Sequence, residues 1–298
     1  MAGVAPTFLI MASARNYIEL TKPRITCFIL MSAAVGFLCA AHVNDSWTWI
    51  SLLHALVGTA LIASGTAALN QWYEREADAK MPRTQNRPIP SGRVTPAHAL
   101  QFGLLLSLIG SIELWFGANM LTSLLGLFTE LSYLLLYTPM KQRSPHSTTI
   151  GAIPGAMPPL IGYAAACGTL TWGAWVLYAI LFLWQFPHFY AIAWMYRDDY
   201  AKAGIRMLPV VEPSNESTAR RIFWFSLLLV PISVLPKYLN MAGNIYLVGA
   251  LALGLYFVYA SLRVMNDRTI VRARQVLLAS VVYLPLLYGL LVLDGSRS

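Results

Sequence analysis

Apolar runs long enough to cross a bilayer recur from one end of this 298-residue chain to the other. A helix needs about 20 mostly apolar residues to traverse ~30 Å of hydrocarbon. Nine runs meet that need and predict helices near 24–42, 50–70, 98–116, 120–138, 149–166, 172–195, 220–236, 243–263 and 274–293. Strict apolar–polar alternation is missing from them, which argues against a membrane β-barrel. Only 11% of the residues are charged, against about 25% in soluble domains, so an ordinary water-soluble core does not fit. The expectation is an all-α polytopic membrane protein. Its nine transmembrane helices form one bundle over 17–298, preceded by an N-terminal extension at 1–16.

The basic residues sort by side. With nine spans, the N-terminus and the segments 71–97, 139–148, 196–219 and 264–273, with their flanks, share one face and carry 19 of the 21 Lys and Arg residues. Only Lys237 and Arg297 fall opposite. The positive-inside bias puts the basic face and the N-terminus in the cytoplasm and the C-terminus across the membrane. A net charge of +8 therefore has a membrane explanation. The basic residues are divided among turns without a recognition module, so the expected partner is the lipid bilayer and not nucleic acid. No cleavable signal peptide is expected, because no basic residue precedes the apolar run of residues 1–14. Cys27, Cys39 and Cys167 lie in or beside different spans and make neither a disulfide framework nor a metal motif.

Acids at membrane depth are costly unless something compensates them, and two acidic clusters close apolar runs here. Asn70, Glu74 and Asp78 are four residues apart. If the second helix continues through Asp78, all three share one face, with Glu76 on another. Carboxylate and amide oxygens suit a hard divalent cation. Mg²⁺ in particular takes a few carboxylates together with water and substrate phosphate. Arg83 and Arg87 follow in a loop restricted by prolines and can make paired hydrogen bonds to phosphate; Lys80 adds a point charge. The second cluster is Asp198 and Asp199 with Lys202. Asp199 is the preferred metal-side acid, Asp198 a second candidate, and Lys202 holds phosphate or pairs with Asp198.

Both clusters fall on the basic side. Facing oxygen–metal sites can grip a diphosphate and neutralise the charge that grows on it as it leaves. The bundle then supplies an apolar cavity for a hydrocarbon. Ionisation of an allylic diphosphate is the chemistry such a site supports. Tyr133, Tyr137 and Lys141 follow one periodicity toward the same side; phosphate contact and interface anchoring are equal readings for the tyrosines. His188 is open between contacting an iron, bonding an acceptor and filling a polar core position. Glu113 and Glu130 stand in apolar surroundings. Gly151, Pro154, Gly155, Pro158 and Pro159 either shape a pocket or only kink the fifth span.

Several spaced segments resemble the protohaem farnesyltransferase branch of the UbiA-like membrane prenyltransferases. They are Leu20-Thr-Lys-Pro-Arg24; Asn70, Glu74 and Asp78 with Met81, Arg83, Thr84, Arg87 and Pro88; Gly155 to Gly162; and Gln185-x-Pro187-His188-Phe189 continuing through Asp199-Tyr200, Ala203-Gly204 and Met207-Leu208-Pro209. The resemblance covers about residues 17–290. It implies a nine-helix enzyme of a bacterial inner membrane that takes farnesyl diphosphate and haem B as substrates, with Mg²⁺ as cofactor. The 2-vinyl group of haem B would gain a farnesyl group and water, giving haem O and diphosphate. A haem A synthase or a terminal oxidase would be the downstream partner. Asn70, Glu74, Asp78 and Asp199 match the metal–diphosphate positions. Two departures stand out: Glu74 replaces an Asp common in the superfamily, and Met195 stands four before Asp199, where a second acid would complete a repeat. The competing functions are prenylation of a quinone-ring precursor and cation-coupled transport.

Overall fold

The computed structural model describes residues 13–41 and 47–295. Most of the expected N-terminal extension lies outside the described residues, and its last residues belong to a short helix, α1 (Ala14–Leu20). Helices α2 (Pro23–Ala41), α3 (Trp49–Asp78), α4 (Pro96–Gly117) and α5 (Met120–Leu131) follow. A π-helical turn, Ser132–Tyr137, joins α5 to α6 (Thr138–Arg143). Then come α7 (Ser147–Gly155), α8 (Pro158–Cys167), α9 (Trp172–Met195), α10 (Arg197–Lys202) and α11 (Leu208–Val211). The chain closes with α12 (Glu216–Tyr238), α13 (Asn244–Asn266) and α14 (Ile270–Gly295). Among the described residues nine helical segments are long and apolar enough to cross a membrane, in the places the apolar runs predicted.

The ends of these helices follow their sequence. Thr48 and Ser51 cap α3 reciprocally, each side chain 3.0 Å from the other's backbone N–H. Thr95 caps α4, whose first position is Pro96, a residue with no N–H to satisfy. Gly168 ends α8 in the left-handed conformation with φ 70°. Helix α3 has 30 residues, about 45 Å at 1.5 Å per residue. That exceeds the hydrocarbon thickness, so its last turns carry Glu74 and Asp78 beyond the apolar run that ends near residue 70.

Two expected spans are not simple helices. The fifth breaks at Ala156–Met157, where Pro158 and Pro159 open α8 and need no donor partner. The fourth contains the π turn, in which the Thr138 N–H reaches the Tyr133 carbonyl five residues back.

Helices α2 to α8 form one half of the bundle, and α9 with α12, α13 and α14 the other; α2 also touches α9 and α14. Several polar groups inside the second half find partners there, as a lipid surround favours. The Tyr246 hydroxyl donates to the Ser233 carbonyl at 2.6 Å, and the Asp294 carboxylate accepts from the Tyr246 N–H at 2.8 Å.

Small residues set the close crossings. A Cβ on Gly162 of α8 would run into the backbone carbonyl of Ala33 on α2. Backbone cannot step aside, so Gly162→Val should destabilise the fold by about 3 kcal/mol or more, the upper end of overpacking costs. Gly289, whose Cβ position has no atom within 4 Å beyond the backbone of its own helix, should accept Ala within about 0.5 kcal/mol. Thermal unfolding in detergent compares the two; equal midpoints would refute the crossing argument.

Candidate active site

The C-terminal end of α3 presents Asn70, Glu74 and Asp78 on one face, because the helix runs unbroken through Asp78. Asn70 and Asp78 are buried and the Glu74 side chain is 11% exposed. Asn70 Nδ2 donates to Glu74 Oε2 at 3.0 Å, which directs the amide oxygen away from the carboxylate. That oxygen accepts from Lys22 Nζ at 2.9 Å. Lys141 Nζ donates to both Glu74 oxygens, at 2.9 and 3.2 Å. Arg87 donates to Asp78 Oδ2 at 2.7 Å.

Burial, reinforced by the Arg87 charge, lowers the Lys22 ammonium to about 7. Asn70 and Asp78, with Glu74 between them, are hard oxygen donors on one face beside basic side chains, a set that fits Mg²⁺ sharing its coordination with phosphate.

The two acidic regions meet. Ala77 and Met81 pack in one apolar cluster with Ala193, Ala203, Ile205 and Met207. The Arg206 N–H donates to the Lys141 carbonyl at 2.8 Å, which ties the chain after α10 to α6. Arg83 crosses to α10, bonding the Tyr200 hydroxyl at 3.2 Å with its guanidinium 4.8 Å from the Tyr196 ring centre and 5.5 Å from that of Tyr200. Asp199, on α10, is half-buried and has no side-chain partner among the described residues.

Asp198 does not join this centre. Its side chain is 87% exposed and stands 3.5 Å from Arg197. Lys202 and Lys80 are exposed as well. Of the two neighbours on α10, Asp199 is the less exposed and Asp198 stands in solvent.

Tyr133, Tyr137 and Lys141 do form one stack: the rings lie 4.9 Å apart and Lys141 Nζ sits 4.7 Å over Tyr137. The π turn also brings Thr138 into reach of Asn70, 3.4 Å from Nδ2. His188 lies elsewhere, on the α9 face toward α14, stacked on Trp184 at 4.5 Å with Nδ1 2.8 Å from Ser280 Oγ. Glu130 is buried and bonded to Ser107, and Glu113 pairs with His54 at 2.7 Å; neither reaches the acidic ladder.

Below the ladder lies an apolar cavity of about 150 Å³, open at one side. Lys22 and Tyr133 line it at the basic end; Thr59, Ile62, Leu114 and Gly126 line it deeper, and Pro154, Gly155 and Pro158 contribute the broken fifth span. The prolines thus shape the pocket as well as kinking the span. Thr59 and Asn70 are eleven residues apart on α3, so the cavity reaches about 16 Å below the ladder at 1.5 Å per residue.

Lys22 and Thr138 are site residues that the spacing of charges did not single out. Lys22 carried one signal, its place in the Leu20-Thr-Lys-Pro-Arg24 segment of the resemblance; the structure sets it between α1 and α2 at φ 49°.

The sequence profile of the UbiA prenyltransferase family matches residues 29–284. The chain belongs to that family. It is 60% identical to a protoheme IX farnesyltransferase from Solibacter usitatus, over 94% of this chain and 98% of that one. Its fold is shared with a digeranylgeranylglyceryl phosphate synthase (TM-score 0.80, 17% identity, covering 95% of this chain and 99% of that one). It is shared also with a UbiA homolog from Archaeoglobus fulgidus bound to DMAPP and Mg²⁺ (TM-score 0.65, 14% identity, covering 93% and 99%).

Proposed function

We propose that this membrane prenyltransferase transfers the farnesyl group of farnesyl diphosphate to the 2-vinyl group of haem B, with water addition, giving haem O and diphosphate. One observation carries the reading. Lys22 both lines the apolar cavity and bonds Asn70 of the acidic ladder, so a diphosphate at the ladder has its hydrocarbon tail directed into the cavity. The likeness to a protoheme IX farnesyltransferase supports the acceptor.

Asn70, Glu74 and Asp78, with Asp199 opposite, would hold Mg²⁺, which supplies electrostatic stabilisation of the leaving diphosphate. Arg83, Arg87 and Lys141 add fixed positive charge around the same oxygens, and a phosphate beside Lys22 favours its charged form. The C1–O bond of the donor breaks and its electron pair leaves with the diphosphate. The vinyl carbon bonds to C1, and water captures the cation formed beside the porphyrin ring, losing a proton. The apolar walls delay water until carbon–carbon bond formation, and holding both partners removes much of the entropic cost of their meeting. Tyr133, at the basic end of the cavity, offers a ring face to the allylic cation. His188, whose Nδ1 is engaged by Ser280, stays open between contacting the haem iron, bonding an acceptor and filling a polar core position. The basic face lies in the cytoplasm of a bacterial inner membrane, and haem O passes to a haem A synthase or a terminal oxidase.

The test uses purified protein in nanodiscs with haem B, farnesyl diphosphate and Mg²⁺. Mass spectrometry should detect haem O in amounts that depend on all three additions. Prenylation of a hydroxybenzoate in place of haem would replace the acceptor. Gradient-driven uptake by vesicles without covalent transfer would replace the function class.

A further inference from the structure

Each oxygen donor on the C-terminal end of α3 is already bonded to its own base, and the three bases come from three places in the chain. Lys22 precedes α2 and holds Asn70; Lys141, in the last turn of α6, holds Glu74; Arg87, in the loop after α3, holds Asp78. Two carboxylates thus face three basic side chains. The Glu74–Lys141 pair is nearly closed to solvent, its side chains 11% and 16% exposed.

A divalent cation that joined Glu74 and Asp78 with these partners still in place would set like charges side by side in a region that screens them poorly. A bare diphosphate would meet the carboxylates with the same conflict of sign. Both conflicts vanish when the two arrive together. The metal takes the carboxylate and amide oxygens, and the released ammonium and guanidinium groups find phosphate oxygens within a side chain's swing.

Given the metal–diphosphate reading above, we infer that Lys22, Lys141 and Arg87 are exchangeable counter-ions, which hold the donor oxygens of the empty enzyme and pass to phosphate as metal enters. Metal and diphosphate then each bind weakly alone and tightly together. The linkage is reciprocal: each must tighten the other by the same factor. Departure of diphosphate with its metal restores the three pairs, which keeps the polar donors satisfied between turnovers.

Calorimetry on the full chain in nanodiscs tests this with Mg²⁺ alone, inorganic diphosphate alone, and each in the presence of the other, after correction for their association in solution. The expected result is at least a tenfold tightening of each by the other. Binding of both with unchanged affinities would overturn the exchange while leaving the metal–diphosphate site intact. No binding even of the two together would instead remove the reading on which the exchange rests.

A second arm uses Lys141→Met, which keeps the length of the side chain and removes the charge on Glu74. Mg²⁺ alone should bind this variant at least tenfold more tightly than wild type and raise its melting temperature more. A lysine that served only as a structural tether would give a less stable protein with wild-type Mg²⁺ affinity, and that result would also overturn the proposal. Arg87→Gln provides the same readout through Asp78 where Lys141→Met folds poorly.

Discussion

Asp78→Asn should lower haem O formation by about 10²–10³-fold, the loss typical when one group that stabilises developing charge is removed. The substitution keeps the volume of a side chain that is only 2% exposed. It also keeps an oxygen that can accept the Arg87 hydrogen bond, at 2.7 Å in the wild type. What it removes is the negative charge that a divalent cation needs. Folding should suffer little beyond the loss of a charge-assisted hydrogen bond, on the order of 1–3 kcal/mol, because Arg87 retains partial access to water. The internal control is Glu76→Gln, two residues earlier on the same helix. Glu76 is 84% exposed and stands 3.5 Å from Arg75, so turnover should stay within about twofold. Initial rates against Mg²⁺ concentration, with melting curves for both variants, settle the matter. If Asp78→Asn turns over at the wild-type rate with an unchanged Mg²⁺ response, Asp78 is no ligand. If Glu76→Gln is as damaged as Asp78→Asn, the one-face argument collapses.

That pair of variants also marks how far the chain could be read in advance. The four-residue spacing of Asn70, Glu74 and Asp78 is a local signal, and the uninterrupted α3 turned it into a shared face. The same logic put Tyr133, Tyr137 and Lys141 in one stack, even though the intervening π turn had no sequence signature. One turn of wider helix changes the pitch, yet neighbours four apart stay stacked. Spacing was silent on which base answers which acid. Lys22 and Asn70 are 48 positions apart, and Arg83 and Tyr200 are 117 apart. Such pairs follow from how helices cross, and crossing depends on glycine contacts such as that of Gly162 with Ala33. The second acidic region shows the same boundary. Asp198 and Asp199 are adjacent in sequence, but the orientation of the six-residue α10 leaves the first in solvent. Residue types marked both regions as chemical; helix packing alone chose between neighbours.

Gly126→Leu should shift donor preference from farnesyl toward geranyl diphosphate by at least tenfold in kcat/KM. Gly126 lines the deep part of the cavity with Ile62 and Leu114. Ile62 lies eight residues before Asn70 on α3, about 12 Å below the ladder by helix rise. A side chain there enters the space assigned to the last isoprene unit of a fifteen-carbon tail and leaves the region next to Lys22 and Tyr133 untouched. The first new carbon would meet Ile62 Cδ1 at 2.7 Å and Leu114 Cδ1 at 3.1 Å. Both are terminal methyls that can rotate aside, so the variant should fold. Excluding five carbons from burial, at ~0.8 kcal/mol each, forfeits about 4 kcal/mol, an upper bound near 10³-fold by the usual 1.4 kcal/mol per decade. The shorter donor loses nothing, because its tail ends above the new side chain, and discrimination of this size is what apolar pockets achieve by occlusion and not by affinity for the smaller ligand. Competition between the two donors, read as the mass of the prenylated haem, measures the ratio directly. An unchanged ratio would mean that the hydrocarbon lies outside this cavity, and with it would go the assignment of Lys22 as the junction between diphosphate and tail.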